Sequence, residues 1–502
     1  MDSKEIEIMV LSLQMEIITL KEWATSEVAK RDHEIAELKA ENTALRAENT
    51  KLKAGIAELK AKLNANSRNS SKPPSSDGFK KPATKSLREP SRRKKGGQNG
   101  HDGHGFKMLS KADFEVACLP SLCQNCAQRN VCAFRVRNRR NVMDIRVKLE
   151  RTEYQQMEAV CPCRNNELLI GEFPADVIGS KQYRSRIKAL GAALVTECAV
   201  GFQKASQLLR EMTSCTVSAS SLVNFLNMCK SKMEDPLEYI RREVLGSGVV
   251  NFDETYLRVN GKQQYMHTAS TPDATYQTVE ESRGTIGMDH AGILPYFDGI
   301  AIHDCWGPYW KYGNLEGHGV CCAHLLRECK GLHEMHPRSF FFRFFPWLLR
   351  AMLETKKKRI AKGKGDAGKY YMKRFLTVFS NAVKIGQVEH PPIQQEKKKG
   401  RRARGKANAF IERMAQLSEA VCLFFCDFRV PFDNNLAERD LRHAKVKQKV
   451  SGCFRTDEGA NLFAKFNSYL STAKKRGCTS LRALELLFQG TPMLTLEGAT
   501  EE

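Results

Sequence analysis

Leu38, Leu45, Leu52 and Leu59 recur every seven residues, and Ile35, Asn42, Asn49 and Ile56 stand three positions ahead of each. A heptad of this kind commits the segment to a long helix with a narrow apolar seam, and a lone rod has nothing to bury that seam against. Leu at d with Ile or Asn at a, between flanks rich in Glu, Lys and Ala, predicts a parallel, in-register dimer. The two Asn weaken the seam while favouring that register. Residues 1–64 are therefore assigned as a coiled-coil dimerisation helix, strictly periodic over 28–63 and less regular back to about residue 5. The competing reading is a lone amphipathic helix packed on its own domain.

The heptad stops at NANSRNSSKPPSSDG (64–78), whose Ser, Asn and Pro can neither continue a helix nor build a core. Eight basic residues and one acid follow in 79–95, among them Lys80, Lys81, Arg92, Arg93, Lys94 and Lys95. Residues 65–110 read as a flexible basic linker that contacts phosphate oxygens; a merely solubilising linker has the same composition. The formal net charge of +23 points to a polyanionic partner, nucleic acid before an anionic membrane. No run nears the roughly 18 apolar residues of a membrane span. Phe340–Leu349 is too short and is interrupted by Arg343 and Pro346.

The N-terminus lacks the basic start and cleavage site of a secretory signal, so the 17 cysteines are expected reduced, in a cytoplasmic protein. Cys123 and Cys126 form a C-x-x-C, and Cys161 and Cys163 a C-x-C, separated by alternating, strand-like sequence over 135–160. Two close pairs of thiols are what tetrahedral zinc requires, so residues 111–178 are read as a structural zinc module. Buried thiols are the alternative, and Cys118, Cys132, His101 and His104 are reserve ligands. The helical stretch 179–246 contains two helices joined by a short turn, with Ser218 placed to cap the second. That spacing suits a DNA-binding helix-turn-helix, and any helical hairpin nearly as well.

At 246 the period changes. Val249–Val259 and Gln263–Ala269 are strand-like and joined at Asn260-Gly261, a strong hairpin signal; a third strand fits Tyr276–Glu280. A short helix near 285–296 leads to the apolar run Ile300–Ile302, a buried strand that ends on Asp304, with helices after it. This order opens a ribonuclease-H-like α/β fold, in which Asp253 and Asp304 come from adjacent parallel strands and share one metal pair. Alternation sends Glu254 to the opposite face. A third acid is expected from a later helix. Asn435 is placed to cap a helix from about Leu436, which makes Glu438 either the reciprocal partner of a capping box or a metal ligand. Arg442, Lys445 and Lys449 follow it along one face, with Ala437, Leu441 and Ala444 on the neighbouring apolar face. Asp440 points elsewhere. Three carboxylates can clamp two Mg2+ (or Mn2+) ions for displacement at phosphorus without a covalent enzyme nucleophile.

The blocks NFDET, HDCWGPYW, CCAHLLRE and above all VPFDNNLAERDLRHAKVKQKVSGCFRTDEGA closely resemble the DDE transposases of the insertion-sequence 66 family. The zipper, the NSSKPPSSD linker, the GGQNGHDGHG segment and the cysteine module come in the family's order, so the resemblance covers nearly the whole chain. It implies that Asp253, Asp304 and Glu438 are the catalytic triad, in that order. It departs at Cys161-Pro162-Cys163, where a C-x-x-C is expected. Cys321, Cys322 and His324 fall in a family-like block and are read as packing around the active site, with His324 supporting a ligand or touching DNA. The implied organisation is a multidomain α/β protein whose catalytic domain spans 247–480, with a mainly helical insertion at about 330–415, and 481–502 as a C-terminal tail. A basic loop at 396–407 within the insertion is expected either to clamp DNA or to lie as solubilising loop.

The implied activity is cleavage at an element's terminal inverted repeats and joining of the 3′ ends to target DNA. The implied setting is a bacterial, nucleoid-associated protein acting as a homodimer with accessory proteins of the same element. A catalytically inactive, transposase-derived repressor and a structure-selective nuclease of the same fold are the alternatives.

Overall fold

The computed structural model describes residues 3–64, 113–145, 147–392 and 405–494. The basic linker, including Lys80, Lys81, Arg92, Arg93, Lys94 and Lys95, and most of the 396–407 loop lie outside the described residues.

The heptad segment forms one helix, α1 (Ser3–Asn64), and its seam is bare: Leu38, Leu45, Leu52 and Leu59 are each 52–60% exposed. Among the described residues, the alternation over 135–160 does not make the expected strands. Only its end pairs, as β1 (Glu158–Cys161) against β2 (Glu167–Ile170), antiparallel around the Cys161–Cys163 turn. The correction has a simple cause. Val136, Val142 and Ile145 stay exposed, so no packed layer rewards strand pairing there.

Four helices follow: α2 (Ser185–Thr196), α3 (Phe202–Thr213), α4 (Ala219–Lys232) and α5 (Glu234–Leu245). Ser218 caps α4, its Oγ accepting the Ser221 N–H at 3.0 Å. The next three strands are β3 (Val249–Val259), β4 (Lys262–Ser270) and β5 (Thr275–Glu280); α6 (Thr285–His290) then leads to β6 (Ile300–His303) and β7 (Gly317–Val320). The β3–β4 turn holds Asn260 and Gly261 at positive φ, as the Asn-Gly pair predicts. The sheet runs β5-β4-β3-β6-β7, with β5, β4 and β3 antiparallel and β3, β6 and β7 parallel. β7 (GHGV) was not expected, since two glycines in four residues carry no apolar alternation. Gly319 is there for space: a Cβ would lie 2.4 Å from Ile302 Cδ1 and 3.2 Å from Val430 Cγ1.

The insertion is helical, as α7 (Cys322–Met335), α8 (Phe340–Ile360), α9 (Lys369–Glu389) and α10 (Lys406–Gln416), followed by α11 (Ser418–Cys426). The motif block then gives α12 (Asn435–Asp440) and α13 (Arg442–Ser451), and the chain closes through α14 (Asp457–Lys475) and α15 (Ser480–Gln489). One core packs α2, α4 and α5 with Val250, Phe252 and Ala301 of the sheet; a second packs α7, α8 and α11 on Ile300, Ile302 and Val320. The 481–502 segment is corrected from a tail in part: Leu484 and Leu487 of α15 are fully buried in the first core. Its helical period, Ala483, Leu484, Leu487 and Phe488, makes one apolar face for α2. The free edge of β5 is covered by α14, whose Ser468 and Thr472 hydroxyls accept the Gln277 and Thr275 amides at 2.9 and 3.0 Å.

Candidate active site

β6 pairs with β3 only through Val249–Asn251, so from Phe252 onward β3 runs past the end of its parallel neighbour. Asn251 stands opposite Ile302, and the same register carried two residues further sets Asp304 level with Asp253. Asp304 is fixed there by the Trp306 amide, which donates to its Oδ1 at 2.9 Å. The adjacent loop is anchored by the buried His303, stacked on Tyr309 with ring centroids 4.4 Å apart and hydrogen-bonded through Nε2 to His318 Nδ1 at 2.9 Å.

The third acid arrives by a route the sequence did not reveal. The residue ahead of α12 is Asn434, not Asn435, and its side chain does not cap the helix. It is spent on β3 instead. Asn434 Oδ1 accepts Asn251 Nδ2 at 2.8 Å, and Asn434 Nδ2 donates to the Phe252 carbonyl at 2.7 Å. The head of α12 is thus clamped to the strand one residue before Asp253. No capping box forms, and Glu438 Oε1 is buried without a hydrogen-bond partner. His324 Nδ1 and Arg327 Nη2 face that oxygen at 3.7 and 3.6 Å, too far for hydrogen bonds.

The expected single basic helix is also corrected. It divides at Leu441, where the Asp440 carbonyl receives Gln277 Nε2 at 3.3 Å. The Asp440 carboxylate turns away from the other acids, accepting Ser270, Thr275 and Lys475 at 2.7–2.8 Å. Ala437, Leu441 and Ala444 are fully buried, as their spacing predicts.

Electrostatics ties these groups together. Burial first, then the charges of Glu254, Asp304 and Glu438, push the Asp253 carboxyl well above its ordinary range, and Lys445 opposes them. Burial and Glu254 likewise raise Asp304, against the Trp306 amide. Burial raises Glu438, while Arg327, Lys445 and Arg442 pull it down. Lys445, half-buried, and Arg442, exposed, therefore act on Glu438; Lys449, also exposed, lies a turn further along.

Glu254 deserved more weight than alternation alone gives it. Its side chain is only 2% exposed, held by Arg283 at 2.6 Å and by the Tyr309 hydroxyl at 2.5 Å. Arg283 in turn lies 4.1 Å over the Trp306 ring. A charge next to Asp253 in sequence and hidden from water is the largest charge effect on both Asp253 and Asp304.

Residues 182–462 match the transposase IS66 family. The chain belongs to the IS66 transposase family. The match takes in more than half of the transposase, including Asp253, Asp304 and Glu438 and the whole five-stranded sheet. A second match, to a family of unknown function (DUF6444), covers residues 26–107, the strict heptads and most of the basic linker. No curated protein matches the chain.

Among the described residues, one group offers three metal-capable ligand atoms within 4.8 Å of one another: Cys321, His324 and Glu438. Cys123, Cys126, Cys161 and Cys163 are not among them; each is a free thiol, partly or fully exposed. Cys321 and Cys322 are fully buried, as packing residues would be, and His324 turns toward Glu438. Also among the described residues, no helix is long and apolar enough to cross a membrane.

Proposed function

We propose that this IS66-family transposase cuts DNA at the ends of its own element and joins the 3′ ends to target DNA at Asp253, Asp304 and Glu438. The observation that carries the reading is electrostatic convergence: Asp253 is raised by both Asp304 and Glu438, acids 51 and 185 residues away in the chain. Three partly buried carboxylates, two of them raising the pKa of the third, call for a cation to offset them. The strand order, three antiparallel strands followed by two parallel ones, supports a ribonuclease-H-like core.

The residues fit divalent magnesium or manganese. Their donors are hard carboxylate oxygens, and Glu438 Oε1 is buried with no hydrogen-bond partner to release. Two such ions, when bound, supply Lewis-acid activation of the attacking oxygen and stabilise the leaving one. The chain's own residues do the rest. Asn434 sets the distance between Glu438 and β3, the Trp306 amide orients Asp304, and Lys445 and Arg442 attract the phosphate that must lie against the acids. Arg283 and Tyr309 keep Glu254 from competing for the cations.

The same reading assigns DNA contact to the basic linker and to the α3–α4 hairpin, and structural zinc to Cys123, Cys126, Cys161 and Cys163. It assigns dimerisation to α1, whose exposed leucine seam has no cover among the described residues. Strand transfer into a target plasmid, with labelled element ends and Mg2+, tests the proposal beside Asp253→Asn, Asp304→Asn and Glu438→Gln. Joined products from the wild type and none from the variants are expected. Wild-type binding without cutting would favour the repressor, and cutting without joining would favour the nuclease.

A further inference from the structure

The heads of two helices meet at Glu438. Cys321 is the residue ahead of α7 and His324 lies in its first turn, while Glu438 lies in the first turn of α12. Two facing atoms in this group, His324 Nδ1 and Glu438 Oε1, are shut off from solvent, and neither has a hydrogen-bond partner. They stand 3.7 Å apart, so no proton on the imidazole bridges them. Leaving one such group unpaired costs about 1–3 kcal/mol, and two facing each other call for a shared partner. The Cys321 sulfur completes the set, with all three ligand atoms within 4.8 Å of one another.

We propose that Cys321, His324 and Glu438 form a second cation site, for an ion of the zinc class, which shares Glu438 with the carboxylate cluster. Sulfur and imidazole nitrogen are poor ligands for magnesium and good ones for zinc, cobalt or cadmium. Tetrahedral zinc, with bonds of about 2.0–2.3 Å, spaces its ligand atoms roughly 3.3–3.7 Å apart. The nitrogen and oxygen already stand at that spacing, and the sulfur lies within 4.8 Å of both. Burial raises the Cys321 thiol, and the Asn434 amide, which donates to the sulfur at 3.2 Å, and the positive end of α7 oppose that rise. On binding, the Cys321 proton passes to solvent. Arg327, 3.6 Å from the shared oxygen, competes with the ion for that carboxylate and lowers the affinity. Three protein ligands leave a fourth position for water or a phosphate oxygen. An ion here withdraws Glu438 from Asp253 and Asp304, so zinc and magnesium compete for one carboxylate.

The site rests on ligand geometry and not on strand transfer, so it is tested on full-length protein without DNA or magnesium. Chelator-stripped, reduced wild type is titrated with Co2+, and bound ions per chain are counted alongside the thiolate-to-cobalt charge-transfer absorption. Cys321→Ser and His324→Gln are run in parallel, with Cys322→Ser as the control. Ions held by the other cysteines are common to all four proteins. Each site variant is expected to hold one ion fewer than wild type, Cys321→Ser with part of the thiolate absorption lost, and the control to keep the wild-type count. A full count in both site variants, each melting like wild type in chelator, overturns the proposal. If Cys321→Ser does not fold, the count in His324→Gln alone decides.

Discussion

Asn434→Ala tests whether the site is held together by the clamp between α12 and β3. The side chain is 2% exposed and makes two hydrogen bonds, to Asn251 Nδ2 and to the Phe252 carbonyl. Alanine removes both and leaves a buried donor and a buried acceptor unpaired, at about 1–3 kcal/mol each. Water entering the small space restores part of that, so a net loss of about 3 kcal/mol is expected. A chain with several cores need not unfold in one step, so the local reading is amide exchange over Val249–Val259, followed by mass spectrometry. A loss of about 3 kcal/mol lowers protection there roughly 100-fold. Strand transfer by the variant should fall further than its folded fraction, because Glu438 loses its fixed distance from Asp253. Protection within about threefold of wild type, a change below roughly 0.7 kcal/mol, would refute the clamp.

Glu438→Gln should cut strand transfer at least about 100-fold. In chelator at neutral pH it should leave the melting temperature unchanged or higher, because burial opposes the ionised glutamate and no capping bond is lost; a clear drop would restore the capping box. Asp253, Asp304 and Glu438 are all raised on folding. The stability they contribute is therefore fully present below the ordinary carboxylate range, about pH 4, and is lost as pH rises through their raised values. In chelator the wild type should lose ground to Asp253→Asn as pH rises above about 4, and magnesium should restore it; parallel melting curves for the two would contradict the clustering. Lys356 Nζ, buried against the Phe424 and Val430 carbonyls, has its pKa pushed down by burial to about 8. Because its folded pKa is depressed, wild-type stability should rise relative to Lys356→Met from about pH 8 to pH 10.5, and a flat difference across that window would count against it.

Much of this protein was legible in short-range pattern. The heptad makes α1, Asn260-Gly261 makes the β3–β4 hairpin, and the apolar run ahead of Asp304 makes the parallel strand β6, because period and turn chemistry act over a few residues. The FDNNLAERDLR block marked Glu438. What the pattern could not show was how that residue is held. Asn434 and Asn435 are interchangeable as caps in sequence, and only the approach of β3 decides that Asn434 is diverted to Asn251 and Phe252. The same holds for the break at Leu441, imposed by Gln277 from another strand. It holds for β7, where glycine answers to Ile302 and Val430 instead of to strand propensity. The exposed alternation over 135–160 failed for the opposite reason: period without a packing partner does not make a sheet.

Residue identity alone thus determined which acids were available and which faces were apolar, and its charge pointed to a polyanionic partner. The tertiary structure decided which charges meet. The influence of Glu254 on Asp253 and Asp304, and the facing of His324 and Cys321 onto Glu438, depend on closeness in space between residues up to 117 positions apart in the chain. Electrostatic and ligand interactions fall off with distance in space, and distance along the sequence does not report it.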